Sequence, residues 1–339
     1  MARPETNWQR CATALLSATL FALASAGCAI HGDRRAAATV EDELLFAARD
    51  ARADARWDDA LAGYERVLFL QPGQPAAVYL ECARVLCARH REDDAHELVS
   101  RGLSMHPGDV ALLAERAELA QRLGFHRAAE RDLERLTSIA PNDAAHWRGL
   151  GATRLALDLP RAATEPLRRS VELDPNCFEG RMLLAGARAQ SDDPLGAARL
   201  IQACIDDAGG AEQAPGAWLL SGAEVCAQPC VANAEPELAR AALEWTAVLV
   251  RRDPHSAVAF RLAGMLHELA GAAPAATIAF ERASVLDPGD LCSLHHLVRL
   301  HTRAGEVAKA VSIARHALEL ERNQQRRNEL LALVARAPQ

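Results

Sequence analysis

Ala60, Ala95, Ala129, Ala163, Ala197, Ala242, Ala276 and Ala310 recur along the chain at separations of 35, 34, 34, 34, 45, 34 and 34 residues. A fixed period of this length describes a stack of small units in which each copy covers the apolar face of the next. Pro72, Pro107, Pro141, Pro175, Pro254 and Pro288 each fall 12 residues after an alanine. Proline lacks the amide hydrogen and clashes with the preceding turn, so it ends a helix there. A bulky residue opens most units, as in Leu44, Tyr79, Leu113, Trp147, Trp218, Phe260 and Leu294. A small residue lies in the same helix, as in Ala48, Ala83, Ala117, Gly151, Ala185, Gly222 and Gly264, where a second helix can approach closely. Apolar residues follow the alanines at i+4 and i+7, for example Leu133 and Leu136, or Phe280 and Ala283, and so share one helical face. The pattern predicts two helices per unit.

With these columns in place, the chain resembles the tetratricopeptide repeat family, whose unit is a 34-residue antiparallel helix pair. The match is closest in residues 144–177, through Trp147, Leu150, Gly151, Ala163, Leu167, Ser170 and Pro175, and in 257–290, through Phe260, Gly264, Gly271, Ala276, Phe280, Ala283 and Pro288. The resemblance implies an all-α fold, a right-handed α-solenoid superhelix of about eight helix pairs with a C-terminal capping helix. The copies are expected near 41–75, 76–109, 110–143, 144–177, 178–214, 215–256, 257–290 and 291–324, followed by a capping helix and tail at 325–339. Leu330, Leu331, Leu333 and Val334 supply the apolar face of that cap. The first copy lacks a glycine at its internal turn and has Ala55 and Arg56 instead. The long step from Ala197 to Ala242 holds extra residues at Gly209 and Gly210 and an insertion at 226–236. Cys226, Pro229, Cys230 and Pro236 in that insertion predict a loop.

The composition suits a helical array: 50% of residues are hydrophobic but only 4% aromatic, and alanine makes up the difference. Arginine outnumbers lysine 37 to 1, Lys309 being the single lysine. A net charge of -7 argues against nucleic-acid binding, which needs a net basic surface.

Residues 1–27 read as a signal peptide: Arg3 and Arg10, an apolar run from Cys11 to Leu23, and the small residues Ala24, Ser25 and Ala26. Ser25, Ala26, Gly27 and Cys28 resemble a bacterial lipoprotein processing box, although leucine is usual where Ser25 stands. Lipidation at Cys28 is the first expectation, with plain secretion and an uncleaved anchor as alternatives, and residues 28–40 form a linker. Ala29 is not the aspartate that resembles an inner-membrane retention signal. The expected location is therefore the outer membrane, lipid-anchored and facing the periplasm, and otherwise the periplasm or the medium. Export gives the cysteines meaning, and Cys226 and Cys230 are the sequence-local pair placed to form a disulfide.

No catalytic motif is present, the repeats leave no segment for a catalytic domain, and no cofactor is expected. Cys292, His295 and His296 share a helical face and offer the alternative of a metal, haem or small-ligand carrier. A regulatory subunit of an envelope enzyme is a further alternative. The leading expectation is a non-catalytic scaffold that binds an extended or helical segment of a protein partner and helps assemble envelope complexes, similar in kind to the repeat lipoproteins that act as pilus pilotins.

In the family, the first helices line a concave groove. By register, that groove takes Asp42, Arg49 and Arg52, then Leu80 and Arg84, Glu118 and Arg122, Arg148 and Leu155, Glu179 and Met182. It continues with Arg261, Met265 and Glu268, and with His295, Arg299 and Arg303. Arginines in excess over acids predict a basic inner surface for a partner with acidic or C-terminal carboxylate groups, with the apolar residues as seats between them.

Overall fold

The structure, a computed structural model, describes residues 33–335, with side chains from residue 40 onward. The signal-peptide stretch and Cys28 lie outside the described residues. Among the described residues there are eighteen helices and no strand. They form eight helix pairs: α1 (Asp33–Ala53) with α2 (Trp57–Leu70), α3 (Ala76–Ala88) with α4 (Glu92–Met105), α5 (Val110–Arg122) with α6 (His126–Ile139), and α7 (Ala144–Ala156) with α8 (Pro160–Leu173). The series continues with α9 (Phe178–Ala189) and α10 (Pro194–Asp207), α11 (Gly216–Cys226) and α13 (Pro236–Arg252), α14 (Ala257–Leu269) and α15 (Ala273–Leu286), and α16 (Leu291–Arg303) and α17 (Val307–Leu320). α18 (Gln324–Ala335) closes the array, burying Leu330 against Leu294, Ala314 and Ala317. Leu331 of that helix stays 47% exposed.

Packing divides the chain into two compact units, one ending at Glu115 and the other starting at Arg116. In the first, Tyr64, Leu68, Tyr79, Cys82 and Val99 are buried, and an added Cβ on Gly102 would sit 2.9 Å from the Tyr79 ring. In the second, one core joins α9, α10, α11, α13 and α14 around Ile201, Leu219, Trp245 and Leu266. All eight period-setting alanines are fully buried, at 0% exposure. The small residues of the first helices meet large partners at van der Waals distance: a Cβ added at Gly222 would lie 2.6 Å from Trp245, and one at Gly264 2.8 Å from Phe280. The bulky openers brace the inter-copy loops. Tyr79 donates its hydroxyl to the Pro72 carbonyl at 2.5 Å, and Trp147 Nε1 donates to the Pro141 carbonyl at 2.8 Å.

The turns inside the pairs share one geometry. After α1, the Arg56 amide donates to the Ala51 carbonyl and the Ala55 amide to that of Arg52, closing the helix end with main-chain donors alone. The same two bonds follow α3, α5, α7, α14 and α16. The turn requires one residue in the left-handed region, and Gly124, Gly271 and Gly305 supply it without strain. Ala55, His90 and Asp158 adopt φ of 57°, 57° and 58° at the equivalent places. Alanine there carries a Cβ penalty that glycine does not.

Three expectations are corrected. α1 begins at Asp33, so the expected 28–40 linker is helical over much of its length. The 226–236 insertion is not a loop, because it contains the short helix α12 (Pro229–Ala234). Pro229 and Pro236 stand in the first turns of α12 and α13, where the missing amide is no loss and the fixed φ favours a helix. Val231 and Ala232 of α12 are buried, Val231 in the same core as Ile201 and Leu238. The Cys226–Cys230 disulfide is not formed. Cys226 faces the core at the end of α11, Cys230 is exposed on α12, and both are free. Burial pushes the Cys226 thiol up to about 12, which keeps it protonated and unreactive.

Two substitutions check this account by urea unfolding. Gly264→Ala should cost about 1–3 kcal/mol through overpacking against Phe280. Ala55→Gly should raise stability by about 1 kcal/mol by relieving the left-handed alanine.

Candidate functional site

The first-helix faces carry the candidate residues, and each unit is described by itself. In the first unit, Arg49 on α1 grips Glu81 on α3 with two bonds, Nε to Oε2 at 2.9 Å and Nη2 to Oε1 at 3.1 Å. Tyr64 donates its hydroxyl to the same Oε2 at 3.0 Å. Burial pushes the Glu81 carboxyl up, but the bonds from Arg49 and Tyr64 outweigh it and hold the carboxyl below its ordinary range. Arg52, one turn beyond Arg49, is half-buried, and its Nε is buried without an acceptor. Arg84 is exposed and Leu80 half-buried on α3, while Asp42 is exposed on α1.

In the second unit every candidate arginine has a carboxylate. Arg122 pairs with Glu118 at 3.0 Å within α5, and Arg148 reaches Glu179 at 3.2 Å from α7 to α9. Arg148 also donates to Cys177 Sγ at 3.2 Å, and Arg261 pairs with the buried Asp290 at 3.3 Å. Asp290 is fixed in turn by the Ser293 hydroxyl at 2.6 Å. Arg299 and Arg303 share Glu268, at 2.8 and 3.5 Å, and His296 Nδ1 lies 2.7 Å from the same carboxylate. Burial pushes the Glu268 carboxyl up, and the bonds from Arg299 and His296 overcome it and hold it low. Leu155 packs on the Ala163, Leu167 and Leu184 core, while Met182 and Met265 lie half-buried against the core around Ile201.

The basic inner surface is therefore corrected: in the second unit it is largely neutralised, and unpaired positive charge survives in the first. The carrier alternative is not supported by geometry either. His295 Nε2 lies 2.8 Å from Glu321 and His296 turns to Glu268 while stacking on Phe280 at 4.6 Å, so the two rings diverge. Among the described residues no three His, Cys, Asp or Glu side chains are placed to hold a metal ion.

Glu81 and Glu321 were missed in the sequence, and so was the pairing of Asp290 with Arg261 and of Cys177 with Arg148. The signal available was spacing: Arg148 to Cys177 and Arg261 to Asp290 are both 29 residues apart, and Arg49 to Glu81 is 32. Such separations join facing positions on successive first helices.

No family profile matches the chain. Over 89 residues it is 34% identical to RNA polymerase II-associated protein 3 of Xenopus tropicalis, a stretch covering 26% of this chain and 14% of that protein. Among solved structures, it is similar to the C-terminal part of a TPR repeat-containing protein from Cytophaga hutchinsonii, with a TM-score of 0.55 and 12% identity over 74% of this chain and 98% of that one. It is also similar to the pilF protein of Pseudomonas aeruginosa, with a TM-score of 0.50 and 17% identity over 65% of this chain and 94% of that one. Likeness at such identities speaks of the fold alone. The fold is that of tetratricopeptide-type helical repeats.

The Glu268 hub has a pH signature. Its folded pKa lies below the ordinary 4.5, so its contribution is complete above that value and is lost as pH falls through the lower folded pKa. Melting curves between neutral and acidic pH should show Glu268→Gln less stable than the parent by about 1 kcal/mol at neutrality, with the gap closing in acid.

Proposed function

We propose that the chain is a non-catalytic protein–protein interaction scaffold, exported and held on the periplasmic side of the outer membrane by lipid on Cys28. The observation that carries the reading is that the described helices are committed to repeat pairs, to α12 and to the cap. Surfaces are what such an architecture has to offer. On the first helices, Leu80, Leu155, Met182 and Met265 present half-buried apolar side chains among arginines, a pattern suited to an extended or helical partner segment. The N-terminal residues supply the export and lipidation part of the reading, through the apolar run and the Ser25-Ala26-Gly27-Cys28 sequence. A protein carrying several acyl chains at one cysteine stays on its membrane, since each buried methylene contributes about 0.8 kcal/mol.

Two measurements test it. Photo-crosslinking residues placed at Leu80, Leu155 or Met182 should capture one shared envelope protein in the native host, while one at the exposed Ile278 on α15 should not. Equal capture from Ile278 sinks the groove. Mass spectrometry of the mature protein should find an acylated Cys28 at its N-terminus, and an unmodified or uncleaved terminus removes the anchor.

A further inference from the structure

We propose that Arg52 and Arg84 form a two-guanidinium seat for a carboxylate of the partner segment, and that this rung, rather than the groove at large, is where the partner's negative charge is read. The inference rests on the scaffold reading and narrows it to one place in the first unit.

The geometry starts from the bidentate Arg49–Glu81 pair, which fixes the register of α1 against α3. Both are first helices of successive pairs, with α2 returning between them, so they run in the same direction. One turn on from Arg49 is Arg52, and one turn on from Glu81 is Arg84. Advancing one turn on each of two parallel helices keeps the register, which brings these two arginines to the next rung as neighbours. Glu81 is already spent, its oxygens accepting from Arg49 and Tyr64. Neither Arg52 nor Arg84 closes a salt bridge among the described residues, although Arg52 stands near enough to Glu81 and Tyr64 for both to feel its charge.

Two features mark the rung as unfinished. The Arg52 Nε is buried without an acceptor, and a buried donor left unmade is destabilising. The other candidate arginines all have acceptors: Arg49, Arg122, Arg148, Arg261, Arg299 and Arg303 each hold a carboxylate. Two adjacent guanidiniums without an anion repel each other, and a single carboxylate bridging them relieves the repulsion and supplies the missing acceptor. Leu80, one turn before Arg84 on α3, provides an apolar neighbour for the rest of the partner residue. A side-chain carboxylate and a C-terminal carboxylate have the same chemistry here.

The test uses the full-length chain and a fluorescein-labelled peptide of alternating leucine and glutamate with an amidated C-terminus. Matched probes replace glutamate by glutamine, in one version amidated and in another ending in a free carboxylate. Fluorescence anisotropy should show the glutamate probe binding the parent chain and binding Arg52→Gln/Arg84→Gln about 10- to 100-fold more weakly, while Arg240→Gln, on the second helix α13, changes affinity less than about threefold. Preference for the glutamate probe assigns the seat to side-chain carboxylates, and binding of the glutamine probe only with its free terminus assigns it to the chain end. Because Arg84 has no salt bridge to lose and Arg52 acts on Glu81 only through its charge, with the Arg49 and Tyr64 bonds left in place, the double variant should melt close to the parent temperature. Failure of the parent to bind any carboxylate probe, equal binding by the double variant, or a clear drop in its melting temperature would each overturn the seat. The crosslinks from Leu155 and Met182 are read separately, so the scaffold reading can stand when the seat fails.

Discussion

The architecture depends on how closely two helices can approach. At the eight period-setting alanines the second helix presents a methyl group and nothing larger, and every one of them is fully buried. Opposite them, the first helices carry Ala83, Gly151, Gly222 or Gly264, so backbone lies near large side chains such as Trp245 and Phe280. A well-packed interior has no slack, and one added methyl at such a contact must displace its neighbour. The tight seam lets a chain with 4% aromatic residues bury apolar cores between its helix pairs. Other features hang on it, because the facing of one first helix on the next follows from how each hairpin closes.

Polar pairing is layered on that frame. Arg116 and Asp132 make a bidentate bond across the α5–α6 hairpin at 2.7 and 2.6 Å, and Arg252 ties down the loop around Ala211, Glu212 and Ala214 by their carbonyls. The first-helix pairs are different, since most of them join one hairpin to the next and keep the arginine partly exposed. Exposed pairs contribute little each, so their chief effect is to set which side chains are already occupied. In the second unit that leaves the candidate arginines satisfied, while in the first it leaves charge to spare.

Much of the fold was legible because it rests on local rules. The proline column marked where second helices end, as at Leu70 before Pro72 and Leu286 before Pro288, and the apolar face of α18 was readable from Leu330, Leu333 and Val334. The errors have a shared physical origin. Pro229 and Pro236 were weighed as breakers, although a proline in a first turn starts a helix as readily as it ends the one before. Cys226 and Cys230 are near in sequence, but α12 turns one inward and the other outward. The groove positions were found by register, yet their charge state was not. Whether Arg148 is free or paired is decided by Glu179 and Cys177, about one copy away, and no single-copy pattern contains that information.

The hairpin turns carry a dynamic consequence. Where glycine occupies the left-handed position, the closed turn is free of strain, but at Ala55, His90 and Asp158 the same closure holds a side chain in an unfavourable backbone region. Strain of that kind is released by local opening, so these three hairpin corners are the places where fraying costs least. Amide exchange in the array is then graded by its corners: the α1–α2, α3–α4 and α7–α8 junctions breathe ahead of those built on Gly124, Gly271 and Gly305.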